Sequence, residues 1–413
     1  MEILEQALNK IKSIGKNKRN FLILLVQGFI GAAGKRTFRN LARYIQTDEH
    51  TISRQMKKNV DFPSLNFEMI AASQEDKETL IAAQDTSFVP KSGKTTNGID
   101  FFWNGCAGKS EKGLEVDAIA TIKINGDKKE GYTISARQTP ASAVPKNKKT
   151  KEKKDSPTKI DFAINHLKDV ASKLMNLGIK YLAADAFYAK IKYVDGVVDS
   201  GLQLISKLRK DARLLRVYTG PQKARGRKKQ YEKIKINSED FNNLLVIKDE
   251  DGERLELRSC IAYSPALGRQ IKVVLLRKFT ATNKYGEALL FSTDIDLDML
   301  QIYQFYTARF QIEFIFRDAK GFTGFADCQS RDADRLHYHF NVSLLALNAA
   351  KLQDQVAQKK EGARRPFSMA NWSRKLHVGI VINRFISMFG LDQTLIKSHP
   401  RYENMLSFGK ISY

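Results

Sequence analysis

The sequence predicts an α/β protein in which a mixed β-sheet is flanked by helices, with an N-terminal helical domain and a β-rich insertion. Three observations lead to this prediction. Residues 1–75 show helical patterning, residues 179–208 read as strand, helix and strand, and residues 254–292 read as successive strands. A strand–helix–strand unit of this length implies two parallel strands joined by a crossover. The chain of 413 residues is long enough for two or three domains.

The charge balance predicts a polyanionic partner. Lys plus Arg number 69 and Asp plus Glu 45, which gives a net charge of +24. Such a field points chiefly to nucleic acid. A membrane is not expected, because the longest apolar run, residues 21–34, is too short to span a bilayer. Three widely spaced cysteines and the lack of a signal-peptide pattern favour a soluble protein in a reducing cytoplasm.

Residues 1–75 are predicted to form a helical DNA-binding domain. Within it, residues 35–45, a short polar turn and residues 51–58 resemble a helix-turn-helix. Thr47 is the expected N-cap of the last helix. The candidates for DNA contact on that helix are Arg54, Lys57 and Lys58. Because the turn lacks its usual glycine, an ordinary helical hairpin with a charged outer face remains the alternative.

The first part of the predicted core, residues 76–209, opens with a strand that contains a carboxylate. Residues 80–89 are mostly apolar apart from Asp85, and a basic glycine loop follows. Aspartate is disfavoured inside strands, so Asp85 is either a cap that binds loop amides or a metal ligand. Antiparallel strands are predicted at 101–103, 116–124 and 132–136, with turns at 105–113 and 125–127.

A second carboxylate ends a later strand. Residues 141–159 are a lysine-rich linker by composition, and the helix that follows is expected to stop at Gly178. Residues 179–184 then read as a buried strand, followed by a helix over 186–198 and a strand over 202–208. Asp185 should therefore lie at the carboxyl end of a parallel strand, where open α/β sheets place their sites.

The remaining chain divides into three predicted parts. Residues 210–293 are a β-rich insertion with a basic tract at 223–229, residues 294–356 are the second part of the core, and residues 357–413 form a C-terminal helical region. Asp294, Asp296 and Asp298 precede one long helix, as helix capping prefers. That helix is expected to run past Lys320 and end at Gly321.

Four side chains share one face of that predicted helix. Tyr306, Glu313 and Lys320 are seven residues apart, and Arg309 lies between the first two. One carboxylate, two cations and a phenol suit a divalent metal beside a phosphodiester. The alternative is a solvated face whose Arg–Glu pair contributes a few tenths of a kcal/mol.

The spacing Tyr306-x2-Arg309-x3-Glu313-x6-Lys320 resembles the Tyr-Arg-Glu-Lys (YREK) signature of bacterial insertion-sequence DDE transposases. Phe310 stands where that family frequently has tryptophan.

Two further segments carry the same resemblance. Asp85-Thr86-Ser87 resembles the first-aspartate strand of that family, and the sequence around Asp185, Ala-Asp-Ala-Phe-Tyr, resembles the second. The segment between Asp185 and Glu313 is similar to the family's β insertion. The resemblance covers residues 79 to about 350.

The resemblance implies a ribonuclease-H-like fold in which the catalytic residues Asp85, Asp185 and Glu313 hold two Mg²⁺ ions, with Mn²⁺ as a substitute. It also implies that Tyr306, Arg309 and Lys320 contact phosphates of the transposon end. The implied protein binds terminal inverted repeats, cleaves the ends and joins the 3′-hydroxyl to target DNA as a homodimer, in association with the nucleoid. An inactive DNA-binding regulator and a nuclease without strand transfer are the alternatives.

Overall fold

The computed structural model describes residues 1–74, 78–141, 157–248, 254–280, 284–362 and 365–410. The helices, in chain order, are α1 (Glu2–Lys10), α2 (Lys16–Gly31), α3 (Phe38–Ile45), α4 (Glu49–Gln55), α5 (Phe62–Ala71), α6 (Lys159–Asn176), α7 (Ile191–Asp199), α8 (Met299–Ala308), α9 (Gln311–Phe322), α10 (Ala333–Glu361), α11 (Met369–Met388), α12 (Gln393–Ser398) and α13 (Tyr402–Leu406). The predicted linker lies largely outside the described residues, although Lys159 begins α6.

The strands are β1 (Thr79–Pro90), β2 (Asp100–Asn104), β3 (Lys109–Asn125), β4 (Lys128–Gln138), β5 (Tyr181–Ala183), β6 (Gln203–Leu208), β7 (Leu215–Val217), β8 (Tyr231–Lys235), β9 (Asn242–Lys248), β10 (Arg254–Ser264), β11 (Arg269–Phe279) and β12 (Tyr285–Ser292). Within the described ranges they form one sheet in the order β2-β3-β1-β5-β6-β12-β11-β10-β7-β8, with β4 on β3 and β9 on β10. The fold is a mixed α/β architecture, as predicted.

Strands β1, β5 and β6 form the parallel centre of this sheet. Ala83 pairs with Ala183, which in turn pairs with Ile205. The predicted parallel pair β5–β6 is thus confirmed. The intervening helix begins later than predicted, at Ile191 instead of residue 186. The reason is that residues 186–188 form a short 3₁₀ helix after Asp185, whose carboxylate accepts the Phe187 amide.

The antiparallel strands follow the predicted pattern with one correction. Strand β3 begins at Lys109, so the turn after β2 is shorter than the predicted 105–113. Pairing of β3 with β2 begins at that residue, opposite Asn104. On the other side of the centre, β12 pairs antiparallel with β6. The β-rich segment therefore continues the central sheet directly.

The N-terminal helices pack on the sheet-bearing part of the chain. Helix α2 contacts α10 and α11, and α5 contacts β4. Arg36, just before α3, donates to the Phe322 carbonyl and to that of Phe29, and its amide donates to Asp327. The N-cap of α4 is Asp48, which accepts the Thr51 amide, so the expected cap at Thr47 is wrong by one residue.

The single long helix predicted around residues 306–320 is interrupted. Asp298 caps α8 as expected, but α8 ends at Ala308 and α9 starts at Gln311. The amides of Phe310, Ile312 and Glu313 bond three residues back instead of four, which tightens the chain here. Helix α9 also extends beyond the predicted stop at Gly321, to Phe322.

The C-terminal part is helical, as predicted. Helix α10 is buried around most of its circumference, with Phe340, Leu344, Leu345 and Leu347 in the core. Helices α11 to α13 follow. In the described part of the chain, no helix is both long enough and apolar enough to cross a bilayer.

Candidate active site

Two aspartates lie at matching heights on neighbouring strands. Asp85 on β1 and Asp185 after β5 each follow the paired residues Ala83 and Ala183 by two positions. Because adjacent strands are about 4.8 Å apart, this register places the two aspartates side by side, just past the carboxyl end of β5. Asp85 accepts the Thr86 amide at 2.8 Å, and the Ser206 hydroxyl donates to the Asp185 carbonyl at 2.8 Å.

Arg309 joins the first strand to α9. Its Nη1 lies 3.0 Å from Asp85 Oδ2, and its Nη2 lies 3.1 Å from Glu313 Oε1. The residue is only 5% exposed, and its Nε has no hydrogen-bond partner among the described residues. The rings of Tyr306 and Phe310 lie 5.8 and 4.8 Å from the guanidinium carbon. The bridge brings Glu313 close to Asp85, which lies more than 200 residues earlier in the sequence.

The electrostatics at Asp85 show how crowded with negative charge this site is. Burial raises the pKa of Asp85 to about 7, the Arg309 charge opposes that rise, and the Asp185 and Glu313 charges add to it. Burial disfavours the ionised carboxylate, and two neighbouring carboxylates disfavour it further. An additional cation would stabilise the ionised form.

The three carboxylates line one cavity of about 940 Å³. Lys320 and Arg317 also line it, which adds two exposed cations to one wall. Exposed aromatic rings complete the rim: Trp103, Phe187 and Phe314. The cavity thus combines acids, cations and aromatic faces, the groups that contact metal ions, phosphates and bases.

The donor set in the cavity fits a hard divalent cation. Mg²⁺ and Mn²⁺ prefer carboxylate oxygens, and Asp85, Asp185 and Glu313 offer only these. Within the described ranges, no three His, Cys, Asp or Glu side chains are already gathered as a metal cluster. Instead, the Arg309 guanidinium neutralises two of the acids, in the place where a bound cation would also act.

The other predicted site residues separate into two groups. Tyr306 contacts the site through Arg309, and burial raises its pKa. Arg54, Lys57 and Lys58 are exposed on and just after α4, and they do not line the cavity. Lys57 forms an ion pair with Asp332 at 3.8 Å. The structure therefore brings the three acids and the helix residues together and leaves the α4 cations on a separate surface.

Sequence reasoning missed a buried polar network beneath the cavity. Asp117, 1% exposed, lines the cavity floor and lies 2.5 Å from Nδ1 of the fully buried His166. Gln84 donates to the same carboxylate at 2.8 Å, and Tyr193 donates to Gln84 at 2.6 Å. His166 Nε2 lies 2.8 Å from the Ser135 hydroxyl. A glutamine directly before Asp85 in a buried strand is the one sequence signal that points to this network.

A mixed sheet with one acid inside a central strand and another just after the neighbouring strand is consistent with a ribonuclease-H-like fold. Residues 163–349 match the family model described as the transposase DDE domain, which supports a DDE transposase family. The matched region contains Asp185 and Glu313, whereas Asp85 precedes it. Comparison with curated proteins gave no match.

Proposed function

We propose that this protein is a metal-dependent DNA transposase of the bacterial insertion-sequence type, which cuts the ends of its element and joins them to target DNA. The observation that carries the proposal is the bridge from Asp85 through Arg309 to Glu313, in a cavity that Asp185 also lines. The family match over residues 163–349 and the net charge of +24 support it.

The proposed roles of the site residues follow from their positions in the cavity. Asp85, Asp185 and Glu313 would hold two Mg²⁺ ions, or Mn²⁺ in their place. The bound metal would supply an activated attacking oxygen and stabilisation of the leaving oxygen. Lys320 and Arg317 lie on the α9 wall, where their charges would orient a phosphodiester. Tyr306 packs against Arg309 and so helps to fix the direction of its guanidinium.

The DNA ends would also be bound outside the cavity. The exposed cations Arg54, Lys57 and Lys58 form a second basic surface on the N-terminal helices, which suits phosphate contacts to an inverted repeat. Joining two ends requires that two copies act together, so the active species would be a homodimer on DNA. Helix α11 has exposed apolar side chains, among them Phe385 and Met388, so the C-terminal helices would be a surface for contact between the two copies.

The test is a cleavage and strand-transfer assay with DNA that carries the element's own ends. Asp85→Asn, Asp185→Asn and Glu313→Gln should each reduce cleavage by about a thousandfold or more, because each removes a charged oxygen that stabilises the transition state. Binding of the same DNA should persist. The matched control is Asp211→Asn, which removes an exposed carboxylate paired with Arg209 and should cut normally.

Each other outcome selects a different function. Wild-type protein that binds the ends but never cuts them with Mg²⁺ or Mn²⁺ would indicate a DNA-binding regulator. Protein that cuts but leaves a pre-cut 3′-hydroxyl unjoined to target DNA would be a nuclease on the same fold.

A further inference from the structure

The hairpin formed by β7 and β8 carries an unusual concentration of positive charge. Val217 pairs with Tyr231, and every residue from 221 to 230 is exposed. This stretch contains no acidic residue. Its cations are Lys223, Arg225, Arg227, Lys228 and Lys229. Within the described part of the chain, the first four of these make no ion pair.

The base of the hairpin tip is held closed by side chains. Gln222 Nε2 donates to the Lys229 carbonyl at 2.7 Å, and the Lys229 amide donates to Gln222 Oε1 at 2.8 Å. The Tyr218 hydroxyl donates to the Pro221 carbonyl at 2.9 Å, and the Lys229 ammonium lies 4.1 Å from the Tyr218 ring centroid. Residues 223–228 therefore project as a short tip from an ordered base.

Gly226 makes the tip narrow at its apex. Its φ of +96° is a conformation that glycine adopts readily, and a Cβ at this position would meet no atom within 4 Å. Arg225 and Arg227 flank it, so two guanidinium groups lie on either side of a residue that has no side chain.

The glycine apex and the two arginines beside it fit one form of DNA in particular. The minor groove is about 6 Å wide, and A·T-rich tracts narrow it further and deepen its negative potential. Arginine is favoured over lysine in such a groove because its guanidinium is more weakly hydrated. A thin apex with two arginines suits this groove better than the wide major groove, which accommodates a helix or a two-stranded ribbon.

We propose that residues 223–228 insert into the minor groove of A·T-rich duplex DNA and read its narrow shape through Arg225 and Arg227. The proposal rests on the proposed DNA function and adds a sequence preference to it. Six strand-to-strand steps separate β5 from β8, so the tip contacts DNA away from the carboxylates.

The experiment measures binding of the full chain to three duplexes of equal length without divalent metal, so that no cutting occurs. Their central tracts are A·T, G·C and inosine·C. An inosine·C pair lacks the guanine N2 amino group and so presents an A·T-like minor groove with a G·C-like major groove. We expect the A·T and inosine·C duplexes to bind about tenfold more tightly than the G·C duplex.

Three variants test the assignment. Arg225→Ala/Arg227→Ala should lose the preference together with affinity. Arg225→Lys/Arg227→Lys should keep the salt dependence of binding, since the charge is conserved, but lose most of the preference. The control Lys233→Ala/Lys235→Ala removes two exposed charges from β8 and should weaken binding to all three duplexes by the same factor.

The proposal is overturned if the alanine pair retains the wild-type preference, or if inosine·C binds like G·C, which would indicate major-groove reading. Equal competition by duplex RNA would also overturn it. Failure of the proposed transposase activity is a separate result, because protein that never cuts DNA with Mg²⁺ could still show the preference in this assay.

Discussion

The centre of the sheet and its far end, at β8 and β9, differ in how tightly their residues pack and in which groups they expose. At the centre, Ala83, Leu182 and Leu204 are fully buried, and the acids emerge from that packed layer. At the far end, Ile234 on β8 and Leu244 on β9 are about half exposed, at 48% and 51%. Charged groups at the centre are tied to one another, whereas those of the β7–β8 tip face solvent.

This difference shows in which part of the molecule the side chains must be positioned accurately. Carboxylates that share a metal must be held within fractions of an ångström, and only close packing provides that. A surface that follows a DNA groove can depend on long flexible cations, which adjust to the phosphates at little cost to stability. Substitutions should accordingly lower the free energy of unfolding more at the centre of the sheet than at its far end.

The largest effect is expected from the network beneath the cavity. His166→Ala leaves the Asp117 carboxylate buried without its imidazole partner and should lower the free energy of unfolding by about 3 kcal/mol. Arg216→Ala breaks the partly exposed ion pair between β7 and Asp240 at the far end and should cost less than about 1 kcal/mol. Urea unfolding of both variants measures the difference; equal losses would refute the contrast between the centre and the far end.

The next effect concerns Arg309. Arg309→Met keeps the packing of the stem but removes a positive charge that lies about 3 Å from two carboxylates. A divalent cation then binds without repulsion, so its dissociation constant should fall by about tenfold while cleavage slows. Calorimetry with Mn²⁺ measures the affinity, and Arg317→Met serves as the control at the cavity wall. Weaker metal binding in Arg309→Met would mean that Arg309 holds the acids in place instead.

A smaller effect should appear in the pH dependence of stability. Burial lowers the pKa of Lys351 on α10 to about 8, and the ammonium donates to the Gly131 carbonyl. Between about pH 8 and 10.5 the unfolded chain binds more protons at this residue than the folded chain, so its contribution makes stability rise with pH. Lys351→Met should remove that part of the rise, as urea midpoints at pH 8 and 10 would show. An unchanged slope would contradict the assignment.

The smallest effect is expected at the β7–β8 tip. Arg225→Ala/Arg227→Ala should change the unfolding free energy by less than about 0.5 kcal/mol, because neither side chain has a partner among the described residues. Thermal unfolding without DNA is the measurement. A larger loss would show that the tip contributes to the stability of the fold, which would contradict the contrast between the centre of the sheet and its far end.

The central strands could be predicted because their signals are local. Runs of apolar residues read as buried strands, and a carboxylate in or just after such a run stands out, as Asp85 does within β1 and Asp185 after β5. Burial of Leu344, Leu345 and their neighbours on α10 was also readable from spacing. What the pattern cannot supply is the register of β1 against β5, which depends on contacts between residues a hundred positions apart.

Other features escaped prediction for identifiable reasons. The break between α8 and α9 contains neither glycine nor proline, and Arg309 there is buried against Asp85, a contact invisible in the local sequence. Thr47 and Asp48 are both competent caps, so one residue of register decided between them. Strand β7 has only three residues, and β8 is mostly exposed and charged, so neither shows the alternation that marks a half-buried strand.

The pairing of β12 with β6 has a consequence for attempts to shorten the chain. Deleting residues 210–293 would remove β12 and leave β6 as an open edge, with its backbone amides and carbonyls unpaired beside the strand that leads to Asp185. Leu204 and Ile205 on that strand are fully buried, and an exposed edge of this kind promotes aggregation between chains. The truncated protein should therefore precipitate, and any minimal version must retain β12 or supply another cover for β6.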